Sequence, residues 1–94
     1  MAVRVIEDKC AQFGNRMEVI LEADGPAELI TPEARAAVLI FARRQGFPAR
    51  GLNGTPQTYP VDAKGEVNDD VLKGKTPVAG YRADYQVNAG AGVF

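Results

Sequence analysis

Three features of the sequence predict an α+β fold: an antiparallel sheet of about four strands, one helix packed on one face, and an extended C-terminal arm. The first is a run with capping chemistry at both ends, Thr31 to Gly46. The second is a set of short β-branched or alternating stretches. The third is the placement of turn residues between them, above all Gly14-Asn15 and Asp62-Ala63-Lys64-Gly65.

In chain order, Ala2 to Glu7 is rich in β-branched residues, and Arg16 to Ala23 puts Met17, Val19, Leu21 and Ala23 on one face. Gly at the first central position of Gly14-Asn15 suits a two-residue type II′ hairpin turn. Pairing across it sets Gln12 beside Met17, Cys10 beside Val19, Asp8 beside Leu21 and Ile6 beside Ala23. A charged Asp8 in that register is awkward, so the alternative is that Asp8 to Gln12 bulges or loops out. Asp24-Gly25-Pro26 ends the second strand, because proline cannot donate to a ladder.

The helix is assigned to Pro32–Gln45. Thr31 is the N-cap, Pro32 fits the first helical position, and Glu33 sits at the positive end of the helix dipole. Arg43 and Arg44 sit at the negative end, Gly46 supplies the stop, and Pro48 follows. Gly46 to Pro60 is crowded with glycine and proline and reads as an irregular crossing. Tyr59 to Val61 and Glu66 to Asn68 flank a type I turn closed by Gly65. Asp69 or Asp70 can cap a short turn, Val71 to Lys73, stopped by Gly74. Tyr81 to Val87 alternates as a strand, with Tyr81, Ala83, Tyr85 and Val87 on one face. The tail Asn88 to Phe94 has little tendency to helix or strand but ends on Val93 and Phe94. Residues 1–87 are therefore expected to form a single domain, with 88–94 as the arm.

Composition excludes several functional classes. The 94 residues contain 11 Lys and Arg against 12 Asp and Glu, a net charge of −1, so no global field gathers phosphates or an anionic surface. Nucleic acid is a disfavoured partner, and the arginines Arg35, Arg43, Arg44 and Arg50 are better explained by helix-end and solvating roles. The longest apolar run, Ala36 to Ala42, is far short of the roughly 20 residues that cross a bilayer. With no secretion signal, the expectation is a cytoplasmic protein, or one incorporated into a particle assembled in the cytoplasm. Asn53-Gly54-Thr55 is then an accidental glycosylation match.

The chain holds neither histidine nor serine, which removes Ser-His-Asp triads, Cys-His pairs and histidine bases. One cysteine without histidine cannot close a transition-metal site, and Cys10 is expected to be a small packed hydrophobe. The acidic cluster Asp62, Glu66, Asn68, Asp69 and Asp70 fails the calcium-loop pattern, because Lys64 stands where an oxygen ligand is needed. Gly74-Lys75-Thr76 fails the phosphate-loop pattern, because Asp69 replaces the first glycine. Gly90-Ala91-Gly92 lies too close to the end of the chain to open a dinucleotide-binding unit. No catalytic residue, cofactor or metal is expected.

One positive clue remains. At 100° per residue, Ala34, Ala37, Val38, Phe41 and Ala42 fall on one side of the helix, and Leu39, Ile40 and Ala36 fall on the far side around Arg43. A surface helix should be polar there, so either the Gly/Pro segment or another chain is expected to cover it. The resulting expectation is a non-enzymatic structural or assembly protein, such as a virion accessory or assembly subunit. Its partners would be protein, either like subunits in a homo-oligomer or a larger scaffold. The interaction residues would be Leu39, Ile40, Arg43, Tyr81, Tyr85, Val93 and Phe94. The alternative is a small binding or regulatory module, an enzyme subunit or inhibitor, that uses Tyr59, Tyr81, Tyr85 and the arginines.

Overall fold

The computed structural model describes residues 3–93, and the side chains of residues 3–89. The elements in chain order are β1 (Arg4–Val5), β2 (Ala11–Phe13), β3 (Arg16–Ala23), α1 (Pro32–Arg44), β4 (Ala49–Leu52), β5 (Thr58–Val61), α2 (Asp69–Leu72) and β6 (Gly80–Val93). Short 3-10 turns occupy Glu7–Lys9 and Pro26–Ile30.

The α+β class holds, but the sheet has six antiparallel strands among the described residues, more than the four expected. The difference has a simple geometry. Two long central strands, β3 and β6, pair along Arg16↔Asn88 to Ala23↔Tyr81, and each outer row is broken into two pieces. β1 and β2 both pair with β3, and β4 and β5 both pair with β6. Four rows thus hold six strands.

The first row does break at Asp8, but over Glu7–Lys9 rather than over Asp8 to Gln12, because Ala11 and Gln12 pair with β3. Gln12 pairs with Met17 as expected, and Gly14 has φ +59° with no positive φ at Asn15, the signature of a II′ turn. Glu7–Lys9 then winds out of the row, and β1 re-enters with Arg4 opposite Glu22 and Val5 opposite Leu21. The expected pairs of Cys10 with Val19, Asp8 with Leu21 and Ile6 with Ala23 are therefore not made. Extruding the charged turn keeps Val5 on the apolar side of the sheet while Glu7 and Asp8 stay in water.

Gly46 to Pro60 is not an irregular crossing. It forms the second broken row, in which β4 pairs with β6 at Ala49↔Ala89 and Leu52↔Val87, and β5 pairs with it at Thr58↔Ala83 to Val61↔Gly80. Pro60 is tolerated because an outer strand has a side that need not donate to a neighbour. The Asp62–Gly65 turn is present, with Gly65 at φ +78° and its N–H donating to the Asp62 carbonyl at 2.9 Å. Glu66 to Asn68 is not a strand, however. Asn68, rather than Asp69 or Asp70, caps α2 by accepting from the Val71 N–H at 3.0 Å. β6 extends beyond the expected Tyr81 to Val87 because β3, β4 and β5 supply partners along it; Asn88 and Ala89 of the expected arm already pair in the sheet. Phe94 lies outside the described residues, as does the side chain of Val93.

α1 ends one residue earlier than expected, with Gln45 as its C-cap. Thr31 Oγ1 accepts from the Ala34 N–H at 3.1 Å. At the far end Gly46 takes φ +82°, its N–H donates to Arg43, and the Phe47 N–H donates to Ala42 at 3.1 Å. This is a Schellman closure, and its apolar pair is Phe47 with Ala42, both buried. The core lies between α1 and one sheet face and contains Met17, Val19, Leu21, Leu29, Val38, Phe47, Tyr85 and Val87. On the opposite face Ile20, Val61 and Val71 are buried apart from this cluster. There Lys9 Nζ donates to the Gly65 carbonyl at 2.9 Å, joining the extruded turn to the loop before α2.

Candidate interaction surface

α1 packs its Ala34, Val38 and Ala42 line fully against the sheet. Phe41, expected with them, is half-buried at the edge of the core, about 60° of helix rotation from Val38 at the centre of that line. The opposite side of the helix exposes Glu33, Ala36, Ile40, Arg43 and Arg44, and Ile40 retains 50% of its accessible surface.

Beside this stripe, between α1 and β4, runs an open groove of about 540 Å³ lined by Ile30, Pro32, Arg35, Ala36, Leu39 and Leu52. Ile30, 46% exposed, also borders a second shallow depression with Pro26, Ala27, Pro56 and Thr58. The apolar surface is therefore continuous from the outer face of α1 across Ile30 to the loop between β4 and β5. Arg43 is pinned at its end, with Nε and Nη2 both donating to the Ala49 carbonyl at 3.3 and 3.2 Å.

Of the residues expected to make contacts, Ile40 and Arg43 are exposed and Leu39 lies half-buried on the groove wall. Tyr81 is half-buried against the core. Tyr85 is interior, at 1% exposure, and its hydroxyl donates to the Leu29 carbonyl at 2.6 Å, so its side chain is not available to a partner. Burial pushes the Tyr85 phenol above its ordinary pKa, which keeps that donor protonated. Ile30 and Leu52 were missed. A signal for Ile30 existed in Pro26 and Glu28: Glu28 Oε1 reaches back to the Gly25 N–H at 2.9 Å, the acidic half of a capping box.

The polar clusters serve local structure. Asp62 Oδ1 accepts from the backbone N–H groups of Lys64 and Glu66, and Oδ2 accepts from Asn68 Nδ2. The Glu66 N–H bond is the main reason the Asp62 carboxyl titrates below its ordinary range. The backbone N–H groups of Lys75 and Thr76 turn inward to the Asp70 carbonyl. Burial raises the Cys10 pKa, opposed by the Ile20 N–H that donates to its sulfur, with Glu7, Glu18 and Asp8 raising it further. The thiol itself donates to the Ile6 carbonyl at 3.3 Å. A protonated, hydrogen-bonded thiol is a poor nucleophile.

Fold and surface together define a small α+β module with an open antiparallel sheet and an exposed helix face centred on Ile40. Comparison with protein-family models, curated proteins and solved structures finds no match.

Proposed function

We propose that this chain is a non-enzymatic structural or assembly protein that docks through the outer face of α1, with its C-terminal segment as an arm, onto like subunits or a larger scaffold. A virion accessory or assembly subunit is the kind of protein that works this way. The observation that carries the reading is Ile40, half exposed at the centre of a helix whose in-chain cover is absent among the described residues. The Gly/Pro segment, the natural candidate for that cover, is committed to the sheet as β4 and β5. Full burial of an isoleucine is worth about 1.5–3 kcal/mol, so covering the remaining surface of Ile40 and Ile30 would contribute about 1 kcal/mol each. The lack of serine and histidine, together with the protonated Cys10, supports a role without catalysis.

Ile40→Asp tests the reading. It should reduce association, measured by sedimentation, and leave a monomer that still melts cooperatively, because the inner line of α1 stays packed. Outright unfolding would mean that Ile40 is covered within the chain, and the case for a partner would fall. Removal of residues 90–94 tests the arm while sparing the Asn88 and Ala89 pairs.

A further inference from the structure

The outer face of α1 has an order of its own. Glu33 lies at its N-terminal end, Ala36 and Ile40 at its centre, and Arg43 and Arg44 at its C-terminal end, all exposed. Neither Glu33 nor Arg44 joins an ion pair among the described residues. Arg43 is committed to the Ala49 carbonyl, which leaves Arg44 as the cation of the last turn with no ion pair or side-chain hydrogen bond among the described residues. A stripe that is acidic at one end, apolar in the middle and basic at the other is complementary to itself when turned end for end.

We infer that a second copy of this chain docks on this face through an isologous, antiparallel pairing of the two α1 helices. Ile40 of each copy seats over Ala36 of the other and over its Ala37, which is half-buried at the rim of the helix rather than on its inner face, and Glu33 of each faces the partner's Arg44. The inference rests on the assembly reading above and names its occupant. One two-fold axis serves both contacts, because the midpoint between Glu33 and Arg44 along the helix is also the midpoint between Ala37 and Ile40. With a rise of 1.5 Å per residue, the charged ends lie only about 8 Å along the helix from that axis. Axes about 8–10 Å apart, crossing at about 20°, keep them within reach of an arginine side chain. The small side chains of Ala36 and Ala37 leave room for the opposing Ile40, and antiparallel helix dipoles add a favourable sign at each end. A standard interface buries about 800 Å² per partner, which a 13-residue helix does not supply by itself. The groove with Ile30 and Leu52 alongside the stripe extends the surface.

Charge reversal distinguishes this pairing from any other. Glu33→Arg alone, or Arg44→Glu alone, sets like charges against each other at both symmetric contacts, and each should weaken self-association about tenfold at low salt. Mixing the two variants in equal amounts places opposite charges at both contacts of the mixed dimer. That mixture should associate about as well as the unaltered protein, and the advantage should shrink in 0.5 M salt, where screening is strong. Circular dichroism verifies the fold of each variant, since each reversal also opposes the helix dipole. If a reversal variant fails to fold, Glu33→Gln and Arg44→Gln replace them, with a smaller but parallel loss of association. If the reversals or neutral variants leave association unchanged while Ile40→Asp abolishes it, the assembly reading stands and the antiparallel pairing is wrong. The pairing is equally wrong if the mixture associates no better than its components. A chain that stays monomeric at high concentration overturns both.

Discussion

Tyr85→Phe removes one oxygen from the centre of the molecule and almost nothing else. The Tyr85 hydroxyl donates to the Leu29 carbonyl at 2.6 Å and ties the Pro26–Ile30 turn to the sheet. Leu29 has no exposed surface, so the carbonyl has no ready replacement in water. A hydrogen bond contributes about 0.5–1.5 kcal/mol net, and a buried group left without its partner costs about 1–3 kcal/mol. The ring packing is retained, so we expect a loss of about 2 kcal/mol. For a domain of this size that lowers the melting midpoint by roughly 8–16 °C. In urea the midpoint should fall with an unchanged slope, because the surface exposed on unfolding is the same. The bond also has a pH signature. Burial raises the Tyr85 pKa in the folded state, so the native chain holds this proton more tightly than the unfolded chain. The corresponding stability is complete below the ordinary tyrosine pKa and declines as pH rises above it toward the raised folded value. Tyr85→Phe should lack that part of the alkaline decline. A loss below about 0.5 kcal/mol at neutral pH, the lower end of what a single hydrogen bond contributes, would refute the role assigned to the hydroxyl.

Other substitutions test the helix and the thiol. Thr31→Ala removes the acceptor for the Ala34 N–H and should cost about 1 kcal/mol in a urea melt. Phe47→Ala should cost about 3–5 kcal/mol, because it empties the core beneath the Schellman closure; Phe41→Ala should cost visibly less, since Phe41 is only half-buried. Equal losses for the two phenylalanines would contradict the inner line of α1. Cys10→Ala should preserve association and shift stability only modestly, by about 1 kcal/mol for the lost sulfur contacts; loss of association with an intact circular dichroism spectrum would show that the thiol has a role beyond packing.

The parts of the fold that were legible in the sequence are those fixed by local chemistry. Thr31, Pro32 and Gly46 bound α1 through groups within a few residues of each other, and Gly14 and Gly65 hold positive φ in turns read correctly from their neighbours. The parts that were not legible depend on distant partners. β4 and β5 carry Gly51 and Pro60, poor strand residues, and are extended because β6 offers them an edge. The extrusion of Glu7–Lys9 was foreseeable from Asp8, but its site was not, since it depends on Val5 finding Leu21. At the surface, helical spacing identified Ile40 and its outward side. It could not reveal Ile30 or Leu52, which join that surface only through tertiary packing. Tyr85 shows the converse: an alternating strand places a tyrosine on a face, but only the packing of α1 and the Pro26–Ile30 turn over it makes that face interior.

Docking as proposed requires that another chain cover the outer face of α1. Sedimentation equilibrium of the full chain over a wide concentration range, beside Ile40→Asp under the same conditions, tests it most directly. The mean mass of the unaltered protein should rise above that of one chain as concentration increases, while folded Ile40→Asp should remain at the single-chain mass throughout. A single-chain mass for both proteins at every concentration, or the same rising mass for both, would contradict that docking.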